Sequence, residues 1–131
     1  MKKTFFAFLF LAFMKFSFCQ TQSELNDQAN QNFLKADKEL NSVYQKILKE
    51  YKSDTAFIKN LKAAQKIWIQ FRDAELNMKF PSVKEYGSVF PVCWFMYKEQ
   101  LTRQRIKILK EWLEGVLEED VCAGSTKIEN D

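Results

Sequence analysis

The chain contains no histidine, and among its 131 residues there are only three glycines, two prolines and three cysteines. Each shortage excludes something. Without an imidazole there is no ready general base at neutral pH and no nitrogen ligand for zinc. Three scattered glycines build no phosphate-cradling loop. Few prolines and glycines mean few local breakers, so long regular stretches can run uninterrupted. There is also no alternating strand pattern, no internal repeat and no low-complexity tract.

The first 19 residues read as a separate unit. Met1-Lys2-Lys3 is a basic start, Thr4 to Met14 is an apolar run, and Ser17-Phe18-Cys19 places small residues before a cut. This pattern predicts a secretory signal peptide over 1–19, cleaved between Cys19 and Gln20. Lys15 interrupts the run, which is too short for a good membrane span. A lipid anchor on Cys19 is disfavoured because Phe18 occupies a position where such signals want a small residue. The chain is therefore expected in the periplasm or secreted, with no transmembrane segment after cleavage.

Cleavage removes three lysines and no acid, taking the formal charge from +3 to zero. That neutrality hides an asymmetry. Residues 20–113 hold 16 basic and 11 acidic side chains, and residues 114–131 hold one and six. The reading is a basic helical domain over 20–117 and an acidic tail over 118–131, either solvated or folded back onto the body. Lysines alternate with glutamates along the helices, unlike a nucleic-acid-binding stripe.

Three helices follow from periodicity. Ala29, Phe33, Ala36, Leu40, Val43 and Ile47 share one face of a first helix from about Asn26 to Tyr51. Ser53 or Asp54 caps a second from about Thr55 to Met78, with Phe57, Leu61, Ala64, Trp68, Phe71 and Met78 as its apolar stripe. A third begins after Pro91 and stops near Gly115, with Trp94, Tyr97, Leu101, Ile108 and Trp112 on one face. The fold class is all-α, an antiparallel three-helix bundle with an ordered loop between the second and third helices and a loose C-terminal tail. That loop, 79–91, is apolar enough either to pack over an open core end or to present a contact surface.

Polar side chains intrude on these faces. Gln65 and Arg72 flank the second stripe, Glu75 falls near its centre, and Arg105 sits within the third. Antiparallel register brings Asp37, Asn41, Gln65, Arg72 and Arg105 toward one layer, with Glu75 spaced to pair with Arg72. Such a seam is either a satisfied network that fixes helix register or a polar pocket.

Cys93 and Cys122 remain after cleavage, and an oxidising compartment predicts a disulfide between them. Closure requires the third helix to begin after Cys93 or end before Gly115, since a continuous helix would separate the thiols too far. Two thiols complete no metal shell, so no metal and no cofactor is expected.

Asp37-x-x-Leu40-Asn41-x-x-Tyr44, then Leu61-x-x-Ala64-Gln65-x-x-Trp68-x-x-Phe71-Arg72-Asp73-Ala74-Glu75, then Leu101-Thr102-x-x-Arg105-x-x-x-Leu109 resemble the N-terminal domain of the lysozyme-inhibitor LprI type. The similarity covers about Ala29 to Leu109. It implies a small exported bacterial helical domain with an extracytoplasmic partner, a lysozyme by the family's name. Leu76 stands where members often carry cysteine, so the family's disulfide pattern does not transfer.

No nucleophile–base pair is evident, and the chain is read as a non-enzyme. The candidate binding surface is Lys79, Phe80, Lys84, Tyr86, Phe90 and Trp94, with aromatic anchors beside cations. The expected function is an exported binding protein of the lysozyme-inhibitor kind. The alternative is a passive envelope domain.

Overall fold

The computed structural model describes residues 21–129, so the expected signal peptide and its cleavage after Cys19 lie outside the described residues. Three long helices dominate: α1 (Gln22–Glu50), α2 (Thr55–Lys79) and α4 (Phe90–Glu114), with a single turn α3 (Val83–Tyr86) and a 3-10 turn (Gly87–Val89) before α4. No strand occurs among the described residues; Val116 and Ile128 form one isolated bridge. The expected all-α bundle is what forms. No described helix is long and apolar enough to cross a membrane.

α1 begins earlier than its apolar pattern indicates. Thr21 and Glu24 form a capping box: Glu24 N donates to Thr21 Oγ1 at 3.2 Å and Thr21 N to Glu24 Oε2 at 2.8 Å. That box satisfies two otherwise orphaned amides and extends the helix over the polar lead-in. The predicted face of α1 is the buried one, from Ala29 to Ile47. Of the two candidate caps for α2, Asp54 acts, accepting from Phe57 N at 2.9 Å.

The three long helices run up, down and up, so α1 and α4 are parallel and α2 opposes both. Phe33 meets Phe95 near one end and Tyr51 meets Trp112 near the other. The backbones of α1 and α4 approach most closely. Ala36 on α1 and Thr102 on α4, both fully buried, keep that interface thin. Thr102 satisfies its buried hydroxyl on Lys98 O at 2.8 Å. α2 stands farther off, and its Phe57, Leu61 and Trp68 side chains reach across to the core.

The inward face of α2 differs from the expected stripe. Leu61, Gln65, Arg72 and Leu76 are buried, whereas Phe71 is 53% and Met78 70% exposed. Ala64 is exposed as well. At 100° per residue the buried line lies roughly 80° from the apolar stripe, and the polar residues occupy the centre of that line. On α4, Ile106 and Leu109 form the core, and Ile108 is exposed.

The tail is not loose. Gly115, at φ +96°, ends α4, and a side chain there would press on Glu129 N at 3.0 Å. Val116 N donates to Lys127 O and Glu129 N to Val116 O, each at 2.8 Å. Lys127 pairs with Glu50, and Trp112 Nε1 donates to Ser125 Oγ at 3.1 Å. The tail thus closes the end of the bundle where α1 turns into α2.

Candidate functional site

The expected single polar layer resolves into two clusters on either side of Trp68. Arg72, 8% exposed, belongs to the first. Its Nε donates to Asp73 Oδ1 at 3.0 Å, Nη2 lies 3.0 Å from the same oxygen, and Nη1 lies 3.8 Å from Asp37 Oδ1. Asn41 is exposed and donates to Asp37 at 3.3 Å rather than reaching Gln65. The expected Arg72–Glu75 pair is not made. Glu75 instead accepts from the Tyr97 hydroxyl at 3.3 Å. Burial, and then the hydrogen bond and negative charge of Glu75, hold the Tyr97 phenol above its ordinary range. Lys98 lies 4.5 Å from the centre of the Phe33 ring. Burial, and then the neighbouring Arg72 charge, lower its pKa against the opposing pull of Asp73 and Asp37.

The second cluster joins α2 to α4. Arg105 Nε donates to Gln65 Oε1 at 3.0 Å. The indole of Trp68 separates the clusters, with Arg72 Cζ 5.3 Å and Arg105 Cζ 6.0 Å from its ring centre. Both distances fall within cation–π range.

At the opposite end from the tail, the α2–α4 connection gathers aromatic rings. Phe80 is the hub: its ring centre lies 5.5 Å from Tyr86, 6.1 Å from Phe90, 6.2 Å from Trp94 and 6.2 Å from Tyr97. Phe90 and Trp94 are 5.4 Å apart. Tyr86 donates its hydroxyl to Lys79 O at 3.4 Å, and Lys79 Nζ sits 3.7 Å above the Tyr97 ring centre. Five of the six candidate binding residues therefore converge. Lys84 stands apart, exposed on α3. All the rings are half-buried, and exposed Val83 and Val89 flank them.

Sequence reasoning placed Tyr97 on a packing face and did not connect it to this cluster. The available signal was its spacing of seven from Phe90 and three from Trp94, which puts all three on one side of α4. Also unforeseen was an open groove of about 900 Å³ beside the cluster, lined by Phe80, Met96, Tyr97 and Gln100 among others.

Cys93 and Cys122 are both free thiols, which corrects the expected disulfide. α4 is continuous from Phe90 to Glu114. At 1.5 Å per residue it carries Cys93 roughly 33 Å from Gly115, while the seven steps on to Cys122 span at most about 25 Å. Among the described residues no group of three or more acidic or thiol side chains is placed to hold a metal ion.

No curated protein matches this chain, and no solved structure does. A family model described as lysozyme inhibitor LprI matches residues 17–109. That span takes in α1, α2, both polar clusters and the aromatic end, and on this match the chain belongs to the lysozyme inhibitor LprI family.

Proposed function

We propose that this protein acts outside the cytoplasm by binding a lysozyme and blocking its cleft with the aromatic end of the bundle. The observation that carries the reading is the Phe80-centred cluster with Lys79 seated on it and Lys84 exposed beside it. A lysozyme cleft works with two carboxylates, one acid and one nucleophile. A surface that offers ring faces and cations suits such a cleft, because aromatic anchors exclude water while a lysine meets the carboxylates. The protein itself does no chemistry in this scheme: it occupies the enzyme.

The signal-like leader of the sequence supports action in the periplasm or beyond. The acidic turn Glu118-Glu119-Asp120 offers a different face, suited to a cationic enzyme surface, and lies at the other end of the molecule.

A lytic assay decides the matter, run against an animal-type and a bacterial lysozyme. Wild type should inhibit at or below tens of micromolar, on the order of −6 kcal/mol of binding. Lys84→Glu and a Tyr86→Ala/Phe90→Ala variant should weaken inhibition at least about tenfold, and a Glu118→Lys/Glu119→Lys/Asp120→Lys variant should not. Loss in the triple lysine variant alone would move the site to the acidic end. No inhibition by wild type would remove lysozyme as partner. The second reading, a passive envelope domain, would then stand on the self-packing of those same rings.

A further inference from the structure

Arg105 differs from the chain's other two arginines. Arg72 has Asp37 and Asp73, and Arg103 has Glu39 and Glu99. Arg105 is in no ion pair among the described residues, although it is half-buried. Its Nε is taken by Gln65, and no described acceptor meets Nη1 or Nη2. Burial alone pulls its pKa below the ordinary value, with no anion to offset it. Among the described residues no sealed-off side-chain nitrogen lacks a partner, so Nη1 and Nη2 reach solvent and are open to an incoming anion.

The surroundings indicate which anion. Arg105 lines a pocket of about 250 Å³ between α2 and α4, with Phe57, Leu61, Ala64 and Trp112 as walls and Ser125 of the tail at its edge. Cavities of about 150 Å³ with apolar walls accept benzene, so this one has room for a ring and a short polar arm. The fork of two terminal nitrogens fits a carboxylate in bidentate fashion. Ser125 Oγ accepts from Trp112 Nε1, which leaves its own proton free to donate.

We propose that this pocket binds a small aromatic carboxylate, its ring against Phe57 and Trp112 and its carboxylate on Nη1 and Nη2 of Arg105. The site is separate from the Phe80 cluster and does not depend on the lysozyme reading. The same chemistry is offered by a free acid or by the C-terminal carboxylate of a peptide ending in phenylalanine.

The test is a titration of the chain from Gln20 to Asp131 with benzoate, following the Arg105 Nε–H and Trp112 indole N–H resonances. Parallel arms use benzyl alcohol, acetyl-Ala-Ala-Phe and its C-terminal amide. Saturable shifts at both resonances are expected with benzoate, with Kd at or below about 1 mM, and at least tenfold weaker binding of benzyl alcohol. Arg105→Gln should remove binding. Ala64→Leu, which fills the pocket from its exposed rim and leaves the Arg105–Gln65 bond in place, should remove it too, so the result does not hang on one variant's folding. Tighter binding of the peptide acid than of benzoate would assign the site to a chain end, and the reverse to a free acid. Shifts that are absent up to tens of millimolar, equal for benzyl alcohol, or unchanged in Ala64→Leu would overturn the proposal.

Discussion

Tyr51, the residue that ends α1, donates its hydroxyl to the carbonyl of Trp112 in the last turn of α4 at 2.9 Å. The bond spans 61 residues and locks the two parallel helices at the end the tail covers. It also occupies a carbonyl that the helix terminus would otherwise leave without a partner. Tyr51→Phe should lower stability by about 1 kcal/mol, a drop of about 4–6 °C in melting temperature for a domain of this size. Burial raises the Tyr51 pKa above 10.0. The folded state therefore holds the phenolic proton more tightly than the unfolded chain. This contribution is complete below the unfolded pKa and is lost as pH rises through the folded one. Wild type should lose stability above pH 10 more steeply than Tyr51→Phe, and parallel pH profiles would refute the assignment.

Arg72 is buried along its stem, but its partners Asp37 and Asp73 are 39% and 53% exposed. Solvent screens those pairs, so the ionic part should be worth under about 1 kcal/mol. Packing of the stem against Trp68 should dominate. Arg72→Met, which keeps the stem, is expected to cost about 1 kcal/mol or less. Arg72→Ala should cost about 2–3 kcal/mol. Chemical denaturation of both variants checks the order, and equal losses would make the charge the main contributor.

The position of the buried line on α2 is open to a simple comparison. Leu76 has no exposed surface, and truncating it to alanine should cost about 2–5 kcal/mol. Phe71→Ala and Met78→Ala should stay within about 0.5 kcal/mol. A large loss at Phe71 would restore the apolar stripe as the packing face.

Both cysteines of a chain beginning at Gln20 should react with an alkylating reagent without reduction. Cys122 is exposed and should react faster than half-buried Cys93. Dithiothreitol should leave the melting temperature unchanged. A mass two daltons below the dithiol value, with one internal bridge, would contradict the continuous helix between them.

The face of α1 is fully legible because six apolar residues recur there with no polar interruption. Helix α2 was harder for a physical reason. Gln65 and Arg72 are buried through partners on α4, α1 and α2 itself, and hydrophobic periodicity carries no record of such partners. Its exposed Phe71 and Met78 pulled the apparent stripe aside. The Arg105–Gln65 pair followed from antiparallel register alone. Glu75 did not, because Tyr97 on another helix competed with Arg72 for it. The charge pattern left the tail either solvated or folded back, and could not choose, since its order rests on Lys127, Ser125 and the bridge at Val116, single long-range contacts with no local pattern. The convergence of rings around Phe80 depended on the path of the connection, which is set by the turns at 83–89.

The uninterrupted course of α4 keeps the aromatic end and the acidic turn apart. Its 25 residues make a strut of roughly 37 Å, longer than several Debye lengths at physiological ionic strength. Charge changes at one end are therefore electrically invisible at the other. The two ends can be altered one at a time, and a body gripping the rings leaves Glu118, Glu119 and Asp120 free to touch a second one.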